Sequence, residues 1–197
     1  MAGLDAIVDC ALGRWSPRIG DPTAMGWVTV AAYALAAALA LGLALGRARG
    51  ASVERAFWAL AALYLACLAV NKQLDLQTLG TEIGRCAARA GGWYGERRAV
   101  QVAVIGALVA AAALAGALAL ALLRRTLPRT GLALLGLFGV TVFVLVRAVG
   151  FHEVDRLIGL PRADGLRLNW IFELGAIALF VGGALRALAG SRRGRRG

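Results

Sequence analysis

The sequence predicts an all-α fold: a polytopic transmembrane bundle of five helices, with short amphipathic helices at the membrane interface on its outer side. Three observations predict it. Of 197 residues, 60% are hydrophobic and only 17% charged, with a mean hydropathy of +0.72. Soluble domains carry roughly a quarter charged and under half apolar residues, so both a water-soluble globule and a disordered chain are excluded. The apolar residues are gathered into five long runs, and the basic residues into short clusters between them. The net charge of +11 therefore follows the positive-inside pattern of a membrane protein rather than a phosphate-binding surface, and nucleic acid is not an expected partner.

The elements follow in chain order. No cleavable signal peptide is expected, because the first residues lack a basic region and contain Asp5 and Asp9. Leu4, Ile7, Val8 and Ala11 instead recur at helical spacing, which predicts a short helix lying on the membrane surface. The first span covers about 27–45, with Gly42 and Gly46 spaced for close helix packing. The second covers about 56–75, with Cys67 inside it as a small packing residue. A second surface helix follows: Leu76, Leu79, Ile83 and Ala87 share a side, Glu82, Arg85 and Arg89 face away, and Gly91–Gly92 ends it. The third span, 100–123, is an alanine lattice broken by Gly106 and Gly116. The fourth and fifth cover 131–149 and 168–186. Each approaches the roughly 20 residues needed to cross a ~30 Å hydrocarbon core. Trp27, Trp58 and Trp170 fall at span ends, where indoles favour the interface. With no repeat or linker visible, residues 1–197 read as one membrane domain.

Charge sets the orientation. Residues 46–55, 124–130 and the stretch from Arg186 onward carry net charges of +2, +3 and +5, whereas 1–25, 71–98 and 150–168 carry −1, +2 and 0. The N-terminus is expected outside and the C-terminus in the cytoplasm, with Arg192, Arg193, Arg195 and Arg196 as a topology anchor. The Ala-, Gly- and Arg-heavy usage points to a bacterial plasma (inner) membrane.

Hydrophilic side chains collect near the outer ends of the second, fourth and fifth spans. Counting about 20 residues up from Arg55 reaches Asp75, which puts Asn71, Lys72 and Asp75 in the outer leaflet. The fourth span ends at Arg147, followed by His152 and Asp155, three apart. Counting back from Arg186 places Asn169 and Glu173 inside the hydrocarbon, Glu173 being the deepest carboxylate. Charges at such depth are costly and are normally paired and turned inward. Glu173 has Arg147 or Lys72 as available partners, and Asp75 has Lys72, Arg147 or His152. Lys72 is the one lysine among 22 basic residues, and a compact ammonium suits a tight partner. Asn71, Lys72, Asp75, Arg147, His152, Asp155, Asn169 and Glu173 are thus the binding or proton-relay candidates. The same residues also read as an ion pair and hydrogen-bonding glue that only fix helix register.

Other chemistries are poorly supplied. One histidine excludes paired haem ligation, nucleotide-binding motifs are absent, and Ser16, Ser52 and Ser191 lie far from the polar ends. A hard-cation site would have to draw on Asp75, His152, Asp155 and Glu173. Cys10 and Cys86 both fall on the outer side and are the disulfide candidates. Three roles stay open: binding or transport of a small solute or cation through an outward-facing pocket between the second, fourth and fifth spans; a membrane-embedded enzyme acting on a lipid or isoprenoid headgroup; and a structural subunit of a membrane complex. Five spans without an inverted repeat make a weak stand-alone transporter, so a homo-oligomer or partner subunit is expected beside the lipid bilayer.

Overall fold

A computed structural model describes residues 3–16, 19–46, 52–149 and 168–193. Among them are seven α-helices and no strand: α1 (Leu4–Leu12), α2 (Ala24–Gly46), α3 (Ser52–Leu74), α4 (Leu76–Ala90), α5 (Arg97–Leu123), α6 (Leu127–Val149) and α7 (Leu168–Arg193), with a 3-10 turn at Tyr94–Glu96. Helices α2, α3, α5, α6 and α7 are long and apolar enough to cross a membrane. The 23 residues of α2 span about 35 Å at 1.5 Å per residue, slightly more than the hydrocarbon thickness.

The helix starts follow from local chemistry. Thr23 caps α2, its Oγ1 accepting the Gly26 N–H at 3.1 Å, while Asp21 Oδ1 accepts the Thr23 hydroxyl at 2.6 Å. Pro128 sits in the first turn of α6, where its missing N–H leaves no intrahelical bond unmade. Between α3 and α4 there is no loop, only Asp75. Its backbone is left-handed, with φ 48° and ψ 50°, and Thr78 Oγ1 donates to its carboxylate at 2.6 Å. Aspartate tolerates this conformation better than most residues because its short polar side chain bonds locally.

Packing is densest between α6 and α7 and between α2 and α3, with α2 against α7 joining the two pairs. Tyr33, Ala36, Ala40 and Leu43 of α2, Trp58, Ala61 and Leu65 of α3, Val140 of α6, and Ile177, Phe180 and Ala184 of α7 form the core. These positions recur every three or four residues, one stripe per helix. Trp58 is not an interfacial anchor. It lies on the stripe facing inward, fully buried, edge-on to Phe57 and Phe180 at centroid distances of 4.9 and 6.0 Å. Cys67 is not a packing residue either, since it faces outward from α3.

The glycines that let helices touch are not those the spacing suggested. A side chain at Gly42, Gly46, Gly106 or Gly116 would meet nothing within 4 Å. At Gly136 it would strike the backbone of Phe180, and at Gly183 the backbone of Ala133, while at Gly139 it would crowd Ala176 at 3.1 Å. Backbone approach therefore belongs to α6 and α7. The alanine lattice of α5 is mostly uncovered: Ile105, Ala112, Gly116 and Ala119 are half-buried and Leu123 is buried, all on one narrow stripe. Its neighbours α3 and α6 touch it only sparsely.

At the end of the bundle reached by the C-terminus of α3, α1 packs on α4. A disulfide joins Cys10 to Cys86 across a Cα–Cα distance of 6.1 Å. The covered edge of α4 is the one that carries Cys86, and the expected apolar side is left open. Glu82, Cys86 and Ala88 are buried, whereas Leu76 and Ile83 are exposed. Glu82 is held there by Arg85, one turn on. With Leu4, Val8 and Leu12 also exposed on α1, the pair presents apolar side chains away from its mutual contact, as helices resting on a lipid interface do.

Candidate functional site

Three helices deliver polar groups to one point. Glu173 stands on the second turn of α7, Lys72 on the last turn of α3 and Tyr33 on the third turn of α2. The Lys72 ammonium donates to Glu173 Oε2 at 2.8 Å, and the Tyr33 hydroxyl donates to Oε1 at 3.1 Å. Both carboxylate oxygens are thus engaged. The Lys72 and Glu173 side chains retain only 7% and 3% of their exposure. A carboxylate so enclosed is tolerated because a full opposite charge and a hydroxyl replace the water it has lost. Of the two cations within reach in the sequence, the ion pair uses Lys72. Among the described residues no ion pair joins Arg147 to Glu173.

Above this pair opens a cavity of about 330 Å³. Leu68, Asn71, Lys72 and Asp75 line it from α3, and Phe143, Val144 and Arg147 from α6. Asn169, Trp170 and Glu173 line it from α7, with Tyr33 from α2. Further along their length α3 and α6 meet through side chains, Tyr64 Oη lying 3.2 Å from Thr141 Oγ1. Below the ion pair lie the buried core residues.

The fourth wall is the segment that leads into α2. Gly20, Asp21 and Thr23 line the cavity, stitched to the end of α3. The Gly20 N–H donates to the Gln73 carbonyl at 2.6 Å, and Gln73 Nε2 donates to the Asp21 carbonyl at 3.3 Å. The room for this approach exists because residue 20 is glycine: a β-carbon there would crowd the Gln73 carbonyl at 3.2 Å.

The structure brings together Asn71, Lys72, Asp75, Arg147, Asn169 and Glu173 around one space. Asp75 forms no ion pair among the described residues, its carboxylate serving Thr78 instead. Arg147 is exposed at the rim, its guanidinium carbon 6.0 Å from the Phe143 ring centroid. Asn169 Oδ1 accepts the Trp170 N–H at 2.8 Å, at the first turn of α7. His152, Asp155 and the terminal Arg195 and Arg196 lie outside the described residues. Among the described residues no three His, Cys, Asp or Glu side chains gather as a metal centre.

Sequence reasoning missed Tyr33 and the Gly20–Thr23 wall. The signal was present for the first: Tyr33 is the single phenol of α2, four residues after Thr29, and both are buried. The wall could not be read, because the hydrogen bonds that place it join backbone and a side chain 52 residues apart. Comparison with protein-family models, curated proteins and solved structures finds no match, so the site stands on its own geometry.

Proposed function

We propose that this chain is a multi-pass membrane protein that binds a small polar solute in the cavity between α2, α3, α6 and α7. One observation carries the reading: a polar, open-mouthed space of about 330 Å³ ends on a buried Lys72–Glu173–Tyr33 cluster in which both carboxylate oxygens are engaged. A network serving only to fix helix register has no need of a cavity beside it, nor of Asn71, Asp75, Arg147 and Asn169 around its mouth. Ligand sites combine a concave space with a few convergent polar groups, and about 300 Å³ is the lower end of their size range. The charge asymmetry of the connecting segments supports an extracytoplasmic opening in a plasma membrane. Parting Lys72 from Glu173 is the step that would extend binding to transport.

The test is saturable stabilisation of the detergent-solubilised protein by a panel of amino acids, dicarboxylates, polyamines and sugars. A ligand present at 100 times its Kd raises stability by about 2.7 kcal/mol. Asn169→Trp and Asn71→Phe fill the mouth and should abolish the shift while preserving the cooperative unfolding transition. A panel without a single saturable shift, or shifts unchanged in both filled variants, would refute the reading.

A further inference from the structure

We infer that the ligand of this cavity carries an oxyanion, a carboxylate or phosphate group, and that Arg147 is the residue that receives it; the inference rests on the cavity-binding reading above. Of the charged groups that face the cavity, Glu173 is engaged through both oxygens, while Asp21 and Asp75 each bond to a threonine through one oxygen and keep their charge. Glu173 accepts from Lys72 and Tyr33, Asp75 from Thr78 Oγ1 at 2.6 Å, and Asp21 from the Thr23 hydroxyl at 2.6 Å and its N–H at 3.3 Å. The donors are in surplus. Lys72 spends one of its three N–H groups on Glu173, and Arg147 has no carboxylate within ion-pairing distance among the described residues. Asn169 uses its carbonyl oxygen on the Trp170 N–H, which leaves its NH₂ group to donate.

Position agrees with inventory. Arg147 ends the cavity-facing side of α6 one turn beyond Phe143, with its guanidinium over that ring at 6.0 Å. A guanidinium lying over an aromatic face keeps its N–H edge available, and that edge matches a carboxylate or phosphate with two parallel bonds. An incoming anion supplies a counter-charge to an arginine that stands near the hydrocarbon boundary. A cationic solute finds Glu173 already paired with Lys72 and meets Arg147 at the rim, which leaves it Asp21 and Asp75, each bonded to a threonine. The oxyanion can arrive on a free solute or on a lipid headgroup, and both offer Arg147 the same chemistry.

Five probes of the full chain in detergent decide the matter, with thermal unfolding as readout and ionic strength held constant with chloride. Succinate and inorganic phosphate are the soluble oxyanions, and phosphatidylglycerol in mixed micelles is the headgroup. Succinamide is the neutral counterpart and 1,4-diaminobutane the cationic one. Saturable stabilisation by an oxyanion probe is expected, with apparent affinity at least tenfold weaker in Arg147→Gln and less weakened in Arg147→Lys. Saturation by the soluble anions assigns a free solute, and response to phosphatidylglycerol alone assigns a headgroup. Stabilisation by succinamide or diaminobutane in place of the anions overturns the oxyanion assignment and leaves the cavity reading standing. Oxyanion binding indifferent to Arg147→Gln overturns it too. Silence from all five probes does the same, and the wider solute panel with Asn169→Trp then decides the cavity reading separately.

Discussion

Glu173 owes its place among apolar helices to two donors, and removing them singly should do more harm than removing the whole set. Lys72→Met leaves a carboxylate with 3% side-chain exposure and only the Tyr33 hydroxyl for company. Orphaning one member of a buried pair costs roughly 3 kcal/mol, at the low end here because the cavity admits water. The double change Lys72→Met with Glu173→Met should recover most of that loss, and equilibrium unfolding in mixed micelles checks the difference. Tyr33→Phe removes one bond to a charged acceptor and should cost roughly 1–2 kcal/mol in the same assay. At Asp75, glycine accepts the left-handed φ of 48° without strain, so Asp75→Gly should keep the α3–α4 junction, whereas Asp75→Val should weaken it by about 1 kcal/mol. Residue identity and depth were legible because hydrophilic side chains stand out against lipid-compatible runs. Partner choice was not: Lys72 and Arg147 lie at similar heights, and only the side on which each helix faces Glu173 separates them.

For whole helices, existence and approximate length could be read, and facing could not. All five spans appear close to their expected limits, although α3 begins at Ser52 and α7 runs on to Arg193. The reason is physical. Lipid tails and a protein core are equally apolar, so hydropathy cannot say which stripe of a span meets a neighbour. That is why Gly42 and Gly116 looked like contact points and Gly136 and Gly183 did not. The distinction is measurable. Gly136→Leu or Gly183→Leu should force α6 and α7 apart and cost roughly 1–3 kcal/mol. Gly42→Ala and Gly116→Ala meet open space and should be neutral or slightly stabilising, since alanine is the better helix former. The same ambiguity hid which edge of α4 would be covered by α1, the one holding Glu82 and Cys86.

At the scale of the whole molecule, the described residues form four spans packed in the order α3, α2, α7, α6, a loosely attached fifth, and a two-helix cap joined by Cys10–Cys86. The bridge encloses a sequence separation of 76 residues. Chain-entropy arguments allow up to about 4 kcal/mol for a loop of that size in a free chain. Most of this is not available here, because α2 and α3 return within the bilayer and already hold the loop ends at one side. The effect of Cys10→Ser should therefore be local, freeing α1 from α4 while the bundle unfolds at nearly its usual temperature. The bridge also has a practical consequence for sided proteolysis. Arg14 is exposed and lies between Cys10 and α2. Trypsin added to vesicles from the side bearing α1 should cut there, yet the severed N-terminal piece will stay attached until a reductant is added. A fragment that separates only under reducing conditions reports the crosslink and the sidedness of the N-terminus in one gel.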